Sequence, residues 1–129
     1  MNSSKVNAVL FVKDLQRVAD FYLNALDMTC VFSDADHSVL NSSDFELIVH
    51  QIPKSIADGI TIQQPPVRRT EGAIRLDFPV QSIEECRNKA EIFGGEIDRN
   101  PPHWAGPNTN FFFGYDPEGN QFGVKSRGN

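Results

Sequence analysis

Three histidines, two cysteines and scattered carboxylates and guanidiniums are the groups in this 129-residue chain able to do acid–base, nucleophilic or metal chemistry. Cys30 and Cys86 lie far apart with no Cys-x-x-Cys spacing, so neither a metal knuckle nor a redox pair is written into them. Two buried thiols in a reducing cytosol are the expectation, because a nucleophilic cysteine needs an adjacent base and a partly exposed, electropositive setting. His50 follows Glu46 by four residues. On a strand that spacing separates them by about 13 Å, too far for joint chelation of one small ion. His37 adjoins a turn and is expected to be exposed. His103 and Trp104 sit in a loop with Pro101, Pro102 and Pro107. Arg68 and Arg69 are adjacent, but two arginines do not make a nucleic-acid patch. The net charge of −5 argues the same way, since a nucleic-acid binder needs a basic face.

The elements that must position these groups follow from periodicity. Residues Val6–Val12 are mostly apolar and β-branched and read as a buried strand. Asp14 has the chemistry of a helix N-cap, and Leu15, Val18, Ala19, Tyr22, Leu23 and Leu26 recur at three- and four-residue spacing. Short strands follow at 29–33, 38–41 and 45–51, separated by the turns Asp34-Ala35-Asp36 and Ser42-Ser43-Asp44. The segment 53–72 breaks the pattern and reads as a linker with functional, mobile or assembly roles. A strand at 74–80 then leads to Ser82, a second N-cap, and to a helix carrying Ile83, Cys86, Ala90 and Phe93. Gly94-Gly95 ends it. A strand at 96–99, the proline-rich loop and a hairpin from Phe111 to Lys125 complete the run. That hairpin turns at Asp116-Pro117-Glu118-Gly119-Asn120, where each residue suits a tight reversal. Most of Phe111-Phe112-Phe113 is expected to be core, with Phe112 opposite its neighbours.

The second half repeats the first. Val12-Lys13-Asp14-Leu15 matches Val80-Gln81-Ser82-Ile83 at an offset of 68, and Val18 then falls on Cys86 and Tyr22 on Ala90. The chain therefore reads as one α+β domain of two βαβββ modules, module one at about 5–52, a linker at about 53–72 and module two at about 73–126. This length suffices for one core that buries roughly 70% of the unfolded surface. No apolar run approaches the roughly 20 residues that span a membrane, and Met1 to Lys5 lacks a signal peptide's apolar stretch. A cytoplasmic location is expected.

Val12, Asp14, Leu15, Phe21, Tyr22 and Leu26, followed far downstream by Asp116-Pro117-x-Gly119-Asn120, resemble the glyoxalase/bleomycin resistance/extradiol dioxygenase superfamily, also called vicinal oxygen chelate. The resemblance runs from Val6 to Lys125. It implies paired βαβββ modules in a curved mixed sheet around a concave cleft, commonly in a homodimer. In metal-dependent members four ligands, usually His, Gln or Glu, come from the first and last strands of each module. Carried over by distance from the matching motifs, those positions fall on Asn7, Glu46, Arg75 and Gly123, with Glu46 and Gly123 as counterparts.

These residues do not make a metal site. Gly123 offers no side chain, Arg75 is a fixed cation, and Asn7 is a weak amide ligand; only Glu46 fits. No metal and no cofactor are expected. Alternate residues share a strand face, which adds Phe11, Ile48, His50, Asp77 and Lys125 to the cleft, with Trp104 and Phe111 as an aromatic wall. That mixture suits a small polar organic ligand. Its bland counterpart is a solvated groove in which Arg75, Asp77 and Glu46 neutralise one another, with Trp104 a plug over the sheet end. Three functions remain open. The first is a metal-free binding protein of the bleomycin-resistance type. The second is a metal-dependent lyase, thiol transferase, oxygenase or epimerase. The third is a metal-free enzyme in which Arg75 polarises a carbonyl and Glu46 or His50 acts as base.

Overall fold

The computed structural model describes residues 4–106 and 108–127, so Pro107 and the first three residues, read above as loop and leader-free start, lie outside the described residues. Eleven elements follow in order: β1 (Val6–Val12), α1 (Leu15–Ala25), β2 (Thr29–Ser33), β3 (His37–Ser42), β4 (Phe45–Gln51), α2 (Lys54–Ala57), β5 (Asp77–Val80), α3 (Ile83–Ile92), β6 (Glu96–Ile97), β7 (Phe111–Tyr115) and β8 (Gln121–Ser126). They form two four-stranded mixed sheets, β1-β4-β3-β2 and β5-β8-β7-β6. The two orders are the same order, so the duplicated module is real at the level of topology. Among the described residues the two sheets are separate, and β1 and β5 each end one of them.

Local chemistry sets the helices. Asp14 accepts from the Arg17 backbone N–H at 3.2 Å, and Ser82 accepts from that of Glu85 at 3.1 Å, so both expected N-caps act. Gly94, at φ 97°, supplies the left-handed residue that ends α3. Inward residues of both helices meet between the sheets: Val18, Phe21, Tyr22 and Ala25 of α1 pack with Cys86 and Ala90 of α3 and with Phe78, Phe122, Leu47 and Val49. One core thus serves both modules.

The two sequence signatures touch. The Tyr22 hydroxyl donates to Asp116 Oδ2 at 2.8 Å in a buried contact, and Asp116 also accepts from the N–H groups of Glu118 and Asn120 and from the Asn120 side chain. Glu118 reaches the other way, its carboxylate accepting from the backbone N–H groups of Lys13 and Asp14 at 2.9 and 2.8 Å. The hairpin turn is therefore the clasp that fastens module two to the start of α1.

Five expectations change. Strand β1, expected to be buried, leaves Val6, Val9 and Phe11 exposed. The strand expected at 74–80 is regular only from Asp77, although the Leu76 carbonyl still accepts from the Gly123 N–H at 2.9 Å and Arg69 bridges Asn120 just before β8. The strand at 96–99 shortens to two residues. The Asp98 carboxylate turns to a two-point ion pair with Arg68, both bonds 2.8 Å, which pins the linker to module two. The linker itself carries the short helix α2. Cys86 is buried as expected, and burial pushes its thiol up to about 12, but Cys30 is exposed on the edge strand β2.

Candidate functional site

Strand alternation sends Ala8, Leu10, Leu47, Val49, Phe78 and Val124 inward and leaves the opposite face of each sheet open. On the open face of module two, the Arg75 guanidinium lies 5.0 Å from the Phe111 ring centre and 5.1 Å from that of Phe113. Asp77 holds it from the side, with Nε donating to Oδ1 at 2.7 Å and Nη2 to Oδ2 at 3.0 Å. That carboxylate keeps the guanidinium pKa above its ordinary range. Trp104 completes the cluster, 5.7 Å from Phe111 and 6.2 Å from Phe113, and is itself exposed. Phe112 points the other way, against the core and under Arg87. The phenylalanine triplet is therefore one core ring and two site rings, rather than mostly core.

Gly123 is the floor of this cluster. A Cβ there would collide with Asp77 Oδ1 and with the edge of the Phe111 ring. No ligating side chain fits at that position while Asp77 and Phe111 stay in place. Because the colliding atoms are the free ends of half-exposed side chains, Gly123→Ala is expected to cost under about 1 kcal/mol. It displaces Asp77 and opens the fork, however. Urea unfolding and an Arg75-dependent ligand shift, measured on one variant, separate the two effects.

Register corrects one pairing. Val9 lies beside Ile48 in module one, and Asp77 beside Gly123 in module two. Val9 and Asp77 are 68 apart, so Gly123 corresponds to Ile48, and Glu46 corresponds to Gln121. The last strands differ by two positions from the counterpart assumed, which preserves the face. Neither set makes a metal centre. Glu46 has Asn7 beside it, Gln121 is bonded through Oε1 to Arg68, and Arg75 is a cation engaged by Asp77. Among the described residues no three His, Cys, Asp or Glu side chains converge as metal ligands. The family's metal therefore does not fit these residues.

Module one presents a different surface. Asn7 and Phe11 on β1 and Glu46, Ile48 and His50 on β4 share its open face, with His50 beside Phe11 at 5.7 Å between ring centres. His37, expected only as an exposed turn residue, instead stacks on His50 at 5.8 Å, and Phe32 follows at 5.3 Å from His37. The sequence contains the signal for this contact. A turn at Ser43-Asp44 pairs Ser42 with Phe45, and counting back along the two strands sets His37 opposite His50.

The two open faces are not joined within the chain. Arg75 pairs with Asp77, and no ion pair or hydrogen bond links it to Glu46 or His50. A cavity of about 410 Å³ opens where β1 passes residues 69–76. It is walled by Leu10, Phe78 and Phe122 together with Arg75 and Gln121, and Trp104 and His50 do not line it. Of the residues expected in the cleft it takes in Arg75.

The family model of the glyoxalase-like domain matches residues 7–125. The chain belongs to this glyoxalase-like family. No curated protein matches the sequence. Among solved structures, a glyoxalase/bleomycin resistance protein from Albidiferax ferrireducens superposes with a TM-score of 0.64 at 20% identity, covering 98% of this chain and 100% of that one. The fosfomycin resistance protein FosX from Listeria monocytogenes gives 0.65 at 17% identity, with 99% and 96% covered. A glyoxalase/bleomycin resistance protein/dioxygenase family enzyme from Burkholderia phytofirmans gives 0.63 at 13%, with 93% and 95% covered. At these identities the likeness is one of fold. It agrees with the two-module α+β architecture of this glyoxalase-like chain, and among the described residues no helix is long and apolar enough to cross a membrane.

Proposed function

We propose that this glyoxalase-like protein binds a small organic molecule that carries an acceptor or anionic group and a flat apolar part, without a metal at the family's ligand positions. The observation that carries the reading is the Arg75 guanidinium, forked by Asp77 and resting on Phe111 and Phe113 where the family places a metal ligand. A guanidinium so fixed presents its remaining N–H groups to an acceptor, and Trp104 offers a ring for the apolar part.

Supporting a homodimer, β1 and β5 are each one of the two edge strands of their sheets, and apolar side chains stand out beside them, Val6 at 74% exposure and Ile74 at 82%. An open edge of this kind invites a partner strand. Joining β1 of one copy to β5 of another extends each sheet to eight strands and brings the Asn7–Glu46 row beside Arg75. Both cysteines are free, which suits a reducing, cytoplasmic setting.

The test is a thermal-shift screen of metabolites and glycopeptide-type drugs in EDTA, with sedimentation to give the assembly state. A ligand at 100 times its Kd adds about 2.7 kcal/mol of stability. A shift that appears only with added divalent metal argues for the metal-dependent enzymes instead, and turnover of the hit in EDTA argues for the metal-free enzyme.

A further inference from the structure

The stacked histidines of module one take no part in the Arg75 cluster. His37 and His50 face each other directly across β3 and β4. The neighbouring Gln51 N–H to Asp36 C=O bond, at 2.8 Å, makes that next pair the hydrogen-bonded one. His37 and His50 therefore occupy a non-hydrogen-bonded position, where cross-strand side chains come closest. Each ring has one nitrogen committed: Nδ1 of His37 lies 3.1 Å from Asp34 Oδ1, and Nδ1 of His50 lies 3.0 Å from the Gln51 carbonyl oxygen. A carbonyl oxygen only accepts, so Nδ1 of His50 carries the proton, and the Asp34 carboxylate imposes the same tautomer on His37. Asp34 is itself held ionised by the backbone N–H groups of His37 and Asp36, at 2.9 and 2.8 Å. With Nδ1 of each ring so engaged, Nε2 is the nitrogen left to present a lone pair to a cation. One ring braced by a carboxylate and one by a backbone carbonyl is the outer support that metal-binding imidazoles need.

We propose that His37 and His50 together bind a borderline divalent cation of the zinc or nickel class through their Nε2 atoms. Imidazole nitrogen prefers such ions, and no carboxylate cage is present to favour calcium or magnesium. Metal–nitrogen bonds of about 2.0–2.1 Å bring the two Nε2 atoms within roughly 4 Å of each other. The rings, now 16° from parallel with centres 5.8 Å apart, close on the ion by tilting together at their outer edges. Phe11 and Phe32, which flank them, are exposed, so this tilt disturbs no buried packing. Two protein nitrogens leave the remaining positions open to water or an oxyanion. The site lies at the other end of β4 from Glu46, roughly 13 Å from the family's position, and does not depend on the Arg75 reading.

Calorimetric titration of the chelator-stripped protein with Zn2+ and Ni2+ tests this. His37→Phe and His50→Phe keep a ring in the row while removing the nitrogens; His103→Ala and Cys30→Ser control for other surface donors. The expected result is one ion per chain, with affinity falling at least tenfold in each phenylalanine variant and unchanged in both controls. Absence of binding by the wild type, wild-type affinity in both phenylalanine variants, or a loss that follows His103 or Cys30 overturns the proposal. Because His37 and His50 are half-buried, unchanged melting of the phenylalanine variants is the control that the fold is intact.

Discussion

Asp116→Ala is expected to cost the fold about 3–5 kcal/mol, a large share of the roughly 5–15 kcal/mol that holds a domain of this size together. The Asp116 carboxylate is fully buried and acts only as an acceptor, taking the Tyr22 hydroxyl, two backbone N–H groups of its own turn and the Asn120 side chain. Truncation orphans all of these at once, and each buried donor left unpaired costs about 1–3 kcal/mol. Loss of the turn also displaces Glu118, whose carboxylate holds the entry to α1 from 2.8 and 2.9 Å. Urea unfolding measures the effect. A variant within about 1 kcal/mol of wild type means that the turn is not the clasp described.

A second large effect appears at alkaline pH. Burial, and then the charge and hydrogen bond of Asp116, push the Tyr22 phenol well above its ordinary range. A folded-state pKa above the unfolded one contributes stability that is fully present below the unfolded value. It is lost as pH rises from about 10 toward the folded value, at up to about 1.4 kcal/mol per pH unit. Stability is therefore expected to fall steeply above pH 10. Tyr22→Phe flattens this limb while lowering stability at pH 7 by about 1–3 kcal/mol, because Asp116 then loses a partner. Asp116 runs the other way at acid pH. Burial raises its pKa, so its protonation on acidification does not drive unfolding. An unchanged alkaline limb in Tyr22→Phe contradicts the assignment to this phenol.

How much of this was legible in the sequence depends on the range of the interaction. The caps at Asp14 and Ser82, the Gly94 stop and the hairpin at 116–120 are local chemistry, and each appears where expected. The duplication was legible because the inward positions of two amphipathic helices repeat at a constant offset. Strand limits were less legible. The strand expected from Ile74 begins at Asp77, and the bridge of Arg69 to Asn120 comes from a linker without periodicity. Asn7 and Glu46 on β1 and β4 were placed by the family resemblance and their face-mates by alternation, and the counterpart of Gly123 was misplaced by two because the last strands are offset by 75 (123 − 48), not by the 68 (77 − 9) of the first strands. The Tyr22–Asp116 bond joins residues 94 positions apart, so each half was visible only as a motif. The His37–His50 stack needed only hairpin counting, while the Asp77 fork that takes Arg75 away from Glu46 needed the side-chain geometry itself.

The central claim is that Arg75, and not a metal, anchors the ligand. It is tested most directly by titrating a hit from the thermal-shift screen, in EDTA, into wild type and Arg75→Ala. Saturable wild-type binding in chelator, weakened at least tenfold by Arg75→Ala with melting of the free protein unchanged, is the predicted result. Equal affinity in the two proteins, or wild-type binding that vanishes in chelator and returns with a divalent ion, contradicts it.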